Sequence, residues 1–157
     1  LQAFADWTAE TFGFVTPGQE EAEAPQDPYL ELRLAVAEET DLPVVPNWAP
    51  KGTVSKEEVS VINRSDGVRL QATYINSQGE FTIRIQIYNS LPEEYFGVYQ
   101  KNDHNVTKYD SGGIIHYLME NTETCSVAWL NGDIETLIQG NLTMGDLVKM
   151  VDSIYEE

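Results

Sequence analysis

The side chains best suited to chemistry are few in this sequence and lie far apart. His104 and His116 are its only imidazoles, and Cys125 is its only cysteine. His116 alternates with apolar residues, which is typical of a hydrogen-bonded histidine in a strand. Ser111, in the stretch YDSGGI, is expected in a turn that leads into that strand. The sequence therefore predicts no nucleophile paired with a base and no catalytic residue.

Metal and cofactor motifs are not indicated either. Asp103, His104 and Asp110 are near one another, but they have neither the spacing of a calcium loop nor that of a zinc site. A single cysteine allows no internal disulfide and no zinc site made of cysteines. We expect Cys125 to be a small buried hydrophobe, and we expect neither a metal nor a cofactor.

The charge of the chain is strongly negative and unevenly distributed. The formal net charge is −17, and residues 1–50 contain ten acidic residues against Arg33 alone. Such a field repels phosphate backbones and anionic lipid headgroups, so we expect no nucleic-acid partner. An acidic surface of this kind also keeps a domain soluble.

Composition divides the chain into three parts. Residues 1–15 form an aromatic segment, and residues 16–28 are acidic, rich in proline and without a large apolar side chain. Such a stretch cannot bury enough surface to become ordered, so it is interpreted as a linker. Residues 29–157 are long enough to form a single domain with one hydrophobic core.

Hydrophobic periodicity predicts the elements of this domain. Leu32 and Val36 recur at helical spacing within residues 28–40, and from Thr53 onward the period changes to two. The NSQG turn joins two alternating runs into a hairpin. We expect an α+β fold with an open, half-barrel-like antiparallel sheet of about six strands, an N-terminal helix and a C-terminal helix.

A second hairpin and the last helix carry clear local signals. Asn131-Gly132 is typical of a two-residue turn, which would place Trp129 opposite Ile134. One face of this hairpin is predicted to be buried. It collects Cys125, Val127, Trp129, Ile134 and Ile138. The last helix is predicted to begin at a Thr143 N-cap with Asp146 in the capping-box position. Its apolar stripe is Leu147, Met150, Val151 and Ile154.

The width of this sheet suggests a role for the first residues of the chain. Six strands span roughly 29 Å, whereas two helices cover only about 20 Å. We expect residues 4–14 to cover the remaining strip of their own domain or of a neighbouring copy in a dimer, and a bound ligand is the alternative. The candidate interaction surface comprises Phe4, Trp7, Phe12, Phe14 and Trp48.

Three stretches in their order resemble a bacterial family of domains of unknown function. They are FADWTAETFGF, VVPNWAPKGT and GGIIHYLMENTETCSVAWLNGDIETLIQGNLTMGDLVKMVDSIY. Pro46, Trp48, Pro50 and Gly52 match the P-x-W-x-P-x-G motif of that family, whereas Lys51 stands where an acidic residue is expected. The resemblance implies a fold similar to the half-barrels of lipoprotein carriers and of envelope-stress regulators.

The same resemblance implies a cellular setting. Members of the family form the outer, C-terminal domain of Gram-positive membrane proteins that look like anti-sigma factors. We therefore expect a non-enzymatic, extracytoplasmic sensor or regulatory domain, anchored by a membrane helix upstream of this sequence and acting on an unidentified protein partner. The alternative is a carrier-like module that binds a lipid, a lipopeptide or another apolar ligand on the open face of the sheet.

Overall fold

A computed structural model describes residues 27–90 and 106–156 of the chain. Within these ranges the backbone forms two helices and one antiparallel sheet of eight strands. The helices are α1 (Leu30–Ala37) and α2 (Met144–Tyr155). The strands are β1 (Val54–Ser55), β2 (Ser60–Arg64), β3 (Gly67–Asn76), β4 (Gly79–Tyr88), β5 (Val106–Ser111), β6 (Ile114–Glu120), β7 (Cys125–Asn131) and β8 (Ile134–Gly140). Residues 1–15 and most of the predicted linker lie outside the described residues.

The sheet is open and its strands run in the order β1-β3-β4-β8-β7-β6-β5. Strand β2 pairs with β3 on the same edge as β1, but farther along the strand. The central contact between β4 and β8 joins the hairpin of β3 and β4 to the meander of β5 to β8. The predicted α+β class and antiparallel sheet are therefore confirmed.

The expected count of about six strands is wrong, because the described residues contain eight. Residues 53–63, expected as one strand, form β1 and β2: the Lys56 amide still donates to the Thr73 carbonyl of β3, and residues 57–59 then leave this edge. Strand β5 was not predicted because its side chains do not alternate. It is an edge strand, paired only with β6, and most of its side chains are exposed or half-buried. Edge strands need no buried face, so they carry a weak hydrophobic signal.

The predicted pairing of the β7–β8 hairpin is also wrong. Its turn lies one residue later than predicted, which shifts the strand pairing by two residues. Trp129 lies opposite Thr136, and Asn131 lies opposite Ile134. Gly132 and Asp133 form the two-residue turn, in which Gly132 has a positive φ of 62°. Asn-Gly and Gly-Asp are both favourable turn pairs, so the two signals overlap in this sequence.

This correction leaves the predicted faces intact, because it moves the pairing by an even number of residues. The five side chains expected on one face are all buried in the core, including Trp129 and Ile138. The opposite face is partly buried as well. Gln86 and Glu135 are directly paired across β4 and β8 there, and the Tyr88 hydroxyl donates to Glu135 over 3.2 Å.

Both predicted helices are present and pack on the same side of the sheet. Helix α1 lies against β3 through Leu32 and Val36, as the spacing predicted. Helix α2 lies against β5, β6 and β7, and the whole of its predicted apolar stripe is buried. Its capping box is formed, since the Asp146 amide donates to Thr143 Oγ1 over 2.9 Å and the Thr143 amide donates to Asp146 Oδ2.

An extended segment, residues 43–50, connects the two helices through hydrogen bonds. Arg33 of α1 donates from Nη2 to the Pro46 carbonyl over 2.8 Å. Asn47 donates from its amide to Ser153 Oγ and from Nδ2 to the Ser153 carbonyl in α2, over 2.8 and 2.9 Å. Val44 and Val45 are buried in the same core as the sheet. This segment therefore covers part of the sheet that the two helices leave uncovered.

Candidate functional site

The predicted interaction residues are only partly within the described chain. Phe4, Trp7, Phe12 and Phe14 lie outside it, as do Asp103 and His104. Trp48 is described, and its side chain is half-buried. It lies at the edge of an open groove with a volume of about 580 Å³. The lining residues are Asp27, Pro28, Tyr29, Arg33, Asn47, Trp48, Ala49, Pro50, Lys51, Gly52 and Thr53.

One wall of this Trp48 groove is the start of α1. The Tyr29 hydroxyl donates to the Trp48 carbonyl over 3.0 Å, which ties the two walls together. The Tyr29 ring is buried edge-on against Tyr74, with ring centroids 5.1 Å apart. Burial raises the pKa of both phenols, because the charged form would lose its hydration. Tyr29 is therefore a fixed anchor between the core and the groove.

The opposite wall is the P-x-W-x-P-x-G segment. Pro46 and Pro50 are buried, whereas Asn47 and Lys51 are exposed. Proline fixes φ and removes a backbone donor, so this stretch stays extended instead of joining a helix or the sheet. The Thr53 amide and Oγ1 both bond to the Pro50 carbonyl, which closes the segment as a turn. The motif thereby holds Trp48 at a defined position on the surface.

Helix α2 contributes one cation to the site. The ammonium nitrogen of Lys149 lies 5.2 Å from the centroid of the Trp48 ring, a cation–π geometry. Arg33 and Lys51 line the groove beside it. Among the described lining residues Asp27 is the single acid, and its carboxylate accepts from Arg33 Nε over 2.9 Å and from the Tyr29 amide over 3.0 Å. The groove is thus a cationic, aromatic surface.

A second polar cluster lies between α2 and the β5–β6 hairpin. Tyr109 and Ser111 donate their hydroxyls to the Asp152 carboxylate over 2.8 and 2.6 Å. His116 is buried, with Nδ1 2.8 Å from the Ile114 carbonyl and Nε2 2.9 Å from the Tyr155 hydroxyl. The carbonyl can only accept, so Nδ1 carries the proton and Nε2 accepts from Tyr155.

This cluster has the geometry of a structural clamp. Ser111 donates to Asp152 and not to His116, so the hydroxyl is not paired with the imidazole. Burial lowers the pKa of His116, which keeps its ring neutral. Gly112, between β5 and β6, has a φ of 64°, and a Cβ there would lie 2.5 Å from the Tyr155 ring. The predicted role of His116 as a hydrogen-bonded strand histidine is confirmed.

Cys125 and the acidic residues show no further site within the described ranges. Cys125 is buried in the core, as predicted, and burial raises the pKa of its thiol. In residues 27–90 and 106–156, no three His, Cys, Asp or Glu side chains are grouped so that they could hold a metal ion. Neither helix described there is long and apolar enough to cross a membrane.

Sequence reasoning found Trp48 but not its neighbours. Arg33, Lys51 and Lys149 come from three different parts of the chain, and only the fold brings Arg33 and Lys51 into one groove and places Lys149 over the Trp48 ring. The sequence did contain one indication of a cation near Trp48, because Lys51 occupies the motif position where an acidic residue is expected. That departure adds a cation next to Trp48.

Comparison with known proteins gives one match. Residues 43–154 match the family described as Domain of unknown function (DUF4367). The matched region begins at the segment that forms the groove and ends within α2. No curated protein and no solved structure matches the chain significantly.

Proposed function

The chain belongs to the DUF4367 family, and from this premise we propose that it is a non-enzymatic sensor or regulatory domain. In this proposal the domain lies outside the cytoplasm, at the end of a membrane-anchored protein similar to an anti-sigma factor. Its recognition site is the Trp48 groove, and its partner is another protein. The half-barrel likeness that the sequence suggested belongs to the same proposal.

The observation that carries the proposal is the position of the groove at the entrance of the domain. Asp27, which belongs to the acidic segment 16–28, lies in the groove wall and bonds to Arg33 of the same wall. A ligand that occupies this groove therefore lies beside Asp27, the end of the acidic segment that precedes α1. Binding at such a point alters the preceding segment directly, which is what a tethered sensor requires.

The chemistry of the groove favours binding over turnover. Its wall residues are an aromatic ring, cations and backbone groups, and its one carboxylate is already bonded to Arg33 and to a backbone amide. The described lining residues include no nucleophile paired with a general base. This composition resembles a recognition surface.

The carrier alternative would place an apolar ligand on the sheet. In the described residues the helix-covered face is buried against the chain's own side chains, among them Val44, Val45 and Leu147. An apolar ligand would have to displace part of this cover. We therefore keep carrier binding only as an outcome of the test below.

The test uses the full-length protein in its native cell. A reporter for the sigma factor that a protein of this proposed type would regulate is compared between the wild type and the Lys51→Glu variant. Lys51 is exposed, so the substitution removes a groove cation without disturbing the core. We expect changed reporter activity, and protease should reach the domain from outside intact cells.

The matched control is Lys108→Glu, which makes the same charge change at an exposed position on β5. Equal reporter activity in the wild type and both variants would contradict a regulatory role of the groove. Cleavage only after cell lysis would contradict the external location. Lipid that copurifies with the protein and is lost on unfolding would favour the carrier alternative.

A further inference from the structure

The charge of the Trp48 groove is opposite to that of the chain. The whole protein has 26 acidic residues and 9 cations, about three acids for each cation. Among the described residues that line the groove this ratio is reversed, because Arg33 and Lys51 stand against Asp27, and Lys149 lies over the ring of the lining residue Trp48. A local positive surface on a strongly negative protein attracts an anionic group.

Two of the three cations are available to such a group. Lys51 and Lys149 form no ion pair within the residues that the structure describes. Arg33 is held by Asp27 and by the Pro46 carbonyl, so its position is fixed before any ligand arrives. Fixed donors lower the entropic cost of binding.

We propose that this groove binds the chain's own acidic segment, through Glu20, Glu21 and Glu23. This inference rests on the function proposed above and names the occupant of its site when no external ligand is bound. Glu23 is four residues before Asp27, and an extended chain of four residues reaches about 14 Å. So short a tether keeps the carboxylates at an effective concentration on the order of millimolar.

This assignment couples the groove to the segment that precedes the domain. While the glutamates occupy the groove, the linker is held against the domain. An external anionic partner that takes their place releases the linker, and the chain ahead of it gains freedom. The signal is then a competition between two acidic ligands for one cationic site.

The experiment follows the indole N–H signal of Trp48 by NMR in the complete 157-residue chain at low salt. In the Glu20→Gln, Glu21→Gln, Glu23→Gln triple variant we expect this signal to shift. A synthetic peptide of residues 18–25, added to the variant, should move the signal back toward its wild-type position. High salt should weaken the binding of this peptide about tenfold, because screening shortens the range of exposed charge pairs.

Controls separate this contact from a general charge effect. The Glu38→Gln, Glu120→Gln, Glu123→Gln variant makes the same charge change at exposed positions outside the groove and should leave the signal in place. Lys51→Gln combined with Lys149→Gln should abolish the response to the peptide. A peptide with glutamine in place of glutamate should have no effect.

Several results would overturn the proposal. One is a Trp48 signal that does not shift in the triple variant, and another is a control variant whose shift equals that of the triple variant. A third is a response to inorganic phosphate as large as the response to the peptide. A fourth is a shift that depends on protein concentration, which would indicate a second copy as the occupant. This outcome is independent of the reporter. If the groove binds the acidic segment but the reporter does not respond, only the regulatory role is refuted. If the reporter responds but the Trp48 signal does not, only the acidic segment as occupant is refuted.

Discussion

Trp129 and Thr136 lie directly opposite each other on β7 and β8, and both are fully buried. Among residues 27–90 and 106–156, neither the indole Nε1 nor the threonine hydroxyl has a hydrogen-bond partner. On the other side of Trp129 the ring of His116 packs at 4.6 Å between centroids. One row of the core thus combines a large aromatic anchor with two polar groups.

The Trp129→Ala variant is expected to lose about 3–5 kcal/mol in the free energy of unfolding, as for other large aromatic side chains in a core. Its side chain is 1% exposed, so truncation leaves a cavity that the rigid sheet cannot fill. Urea denaturation followed by circular dichroism measures the loss. Trp48→Ala is the control, because Trp48 is half-buried and should cost less. A Trp129 variant as stable as the parent would contradict the burial of this side chain in the core.

Replacing Thr136 by valine is expected to stabilise the protein by about 1 kcal/mol. The change keeps the shape of the side chain and removes a buried hydroxyl that has no partner in the part of the chain that the structure describes. Thr136→Ser is the matched control: it keeps the hydroxyl, loses a methyl group and should destabilise the protein. If valine destabilises as much as serine, the hydroxyl is hydrogen-bonded in solution and the expectation is wrong.

These two residues also show what the sequence could and could not reveal. Alternation placed Trp129 on the buried face correctly, because a period of two depends only on which side of a strand is apolar. It could not choose between two overlapping turn pairs, so the partner of Trp129 was assigned as Ile134. Register is set by the turn and by long-range packing, and a change of two residues preserves every face.

The helices were easier to predict than the groove. Local signals define α2 almost completely, because its N-cap and its apolar stripe follow one another within a short stretch. The Trp48 groove has no such signal. Arg33, Trp48 and Lys149 meet only after both helices have packed on the sheet. Edge strand β5 was missed for the same reason, since its structure depends on pairing with β6.

His116 should make stability depend on pH in a defined window. Burial lowers its pKa below the ordinary value of 6.5, so the folded protein binds this proton more weakly than the unfolded chain. The stability that neutral His116 contributes is therefore fully present above pH 6.5, and this contribution is lost as the pH falls through the pKa of His116 in the folded protein. We expect the urea midpoint of unfolding to decrease as the pH is lowered below 6.5, and this pH dependence to be smaller in His116→Asn.

Two variants isolate this effect. Tyr155→Phe removes the hydroxyl that donates to His116 Nε2 while keeping the ring, so it should lower stability and retain the slope. His104→Asn measures the contribution of the only other imidazole in the chain. A slope unchanged in His116→Asn would show that His116 keeps an ordinary pKa in the folded protein.

Helix α1 presents a second apolar stripe that the described chain does not cover. Leu30 and Leu34 occupy the outer face at i, i+4 spacing and are 53% and 60% exposed, while Leu32 and Val36 fill the inner face. A helix that is apolar on both sides is normally buried. We propose that residues 4–14 of the same chain cover this outer stripe, because a linker of about 13 residues has a flexible reach of roughly 20 Å.

Hydrogen exchange on the intact chain tests this docking. We expect the amides of residues 4–14 to exchange more slowly than those of the linker, and the Leu34→Glu variant to remove the difference by placing a charge in the stripe. Val61→Glu, a similarly exposed position on β2, should leave the protection unchanged. Equal exchange of residues 4–14 and the linker in the parent protein would refute the docked arrangement. Protection that disappears on dilution would assign it to a neighbouring copy in a dimer.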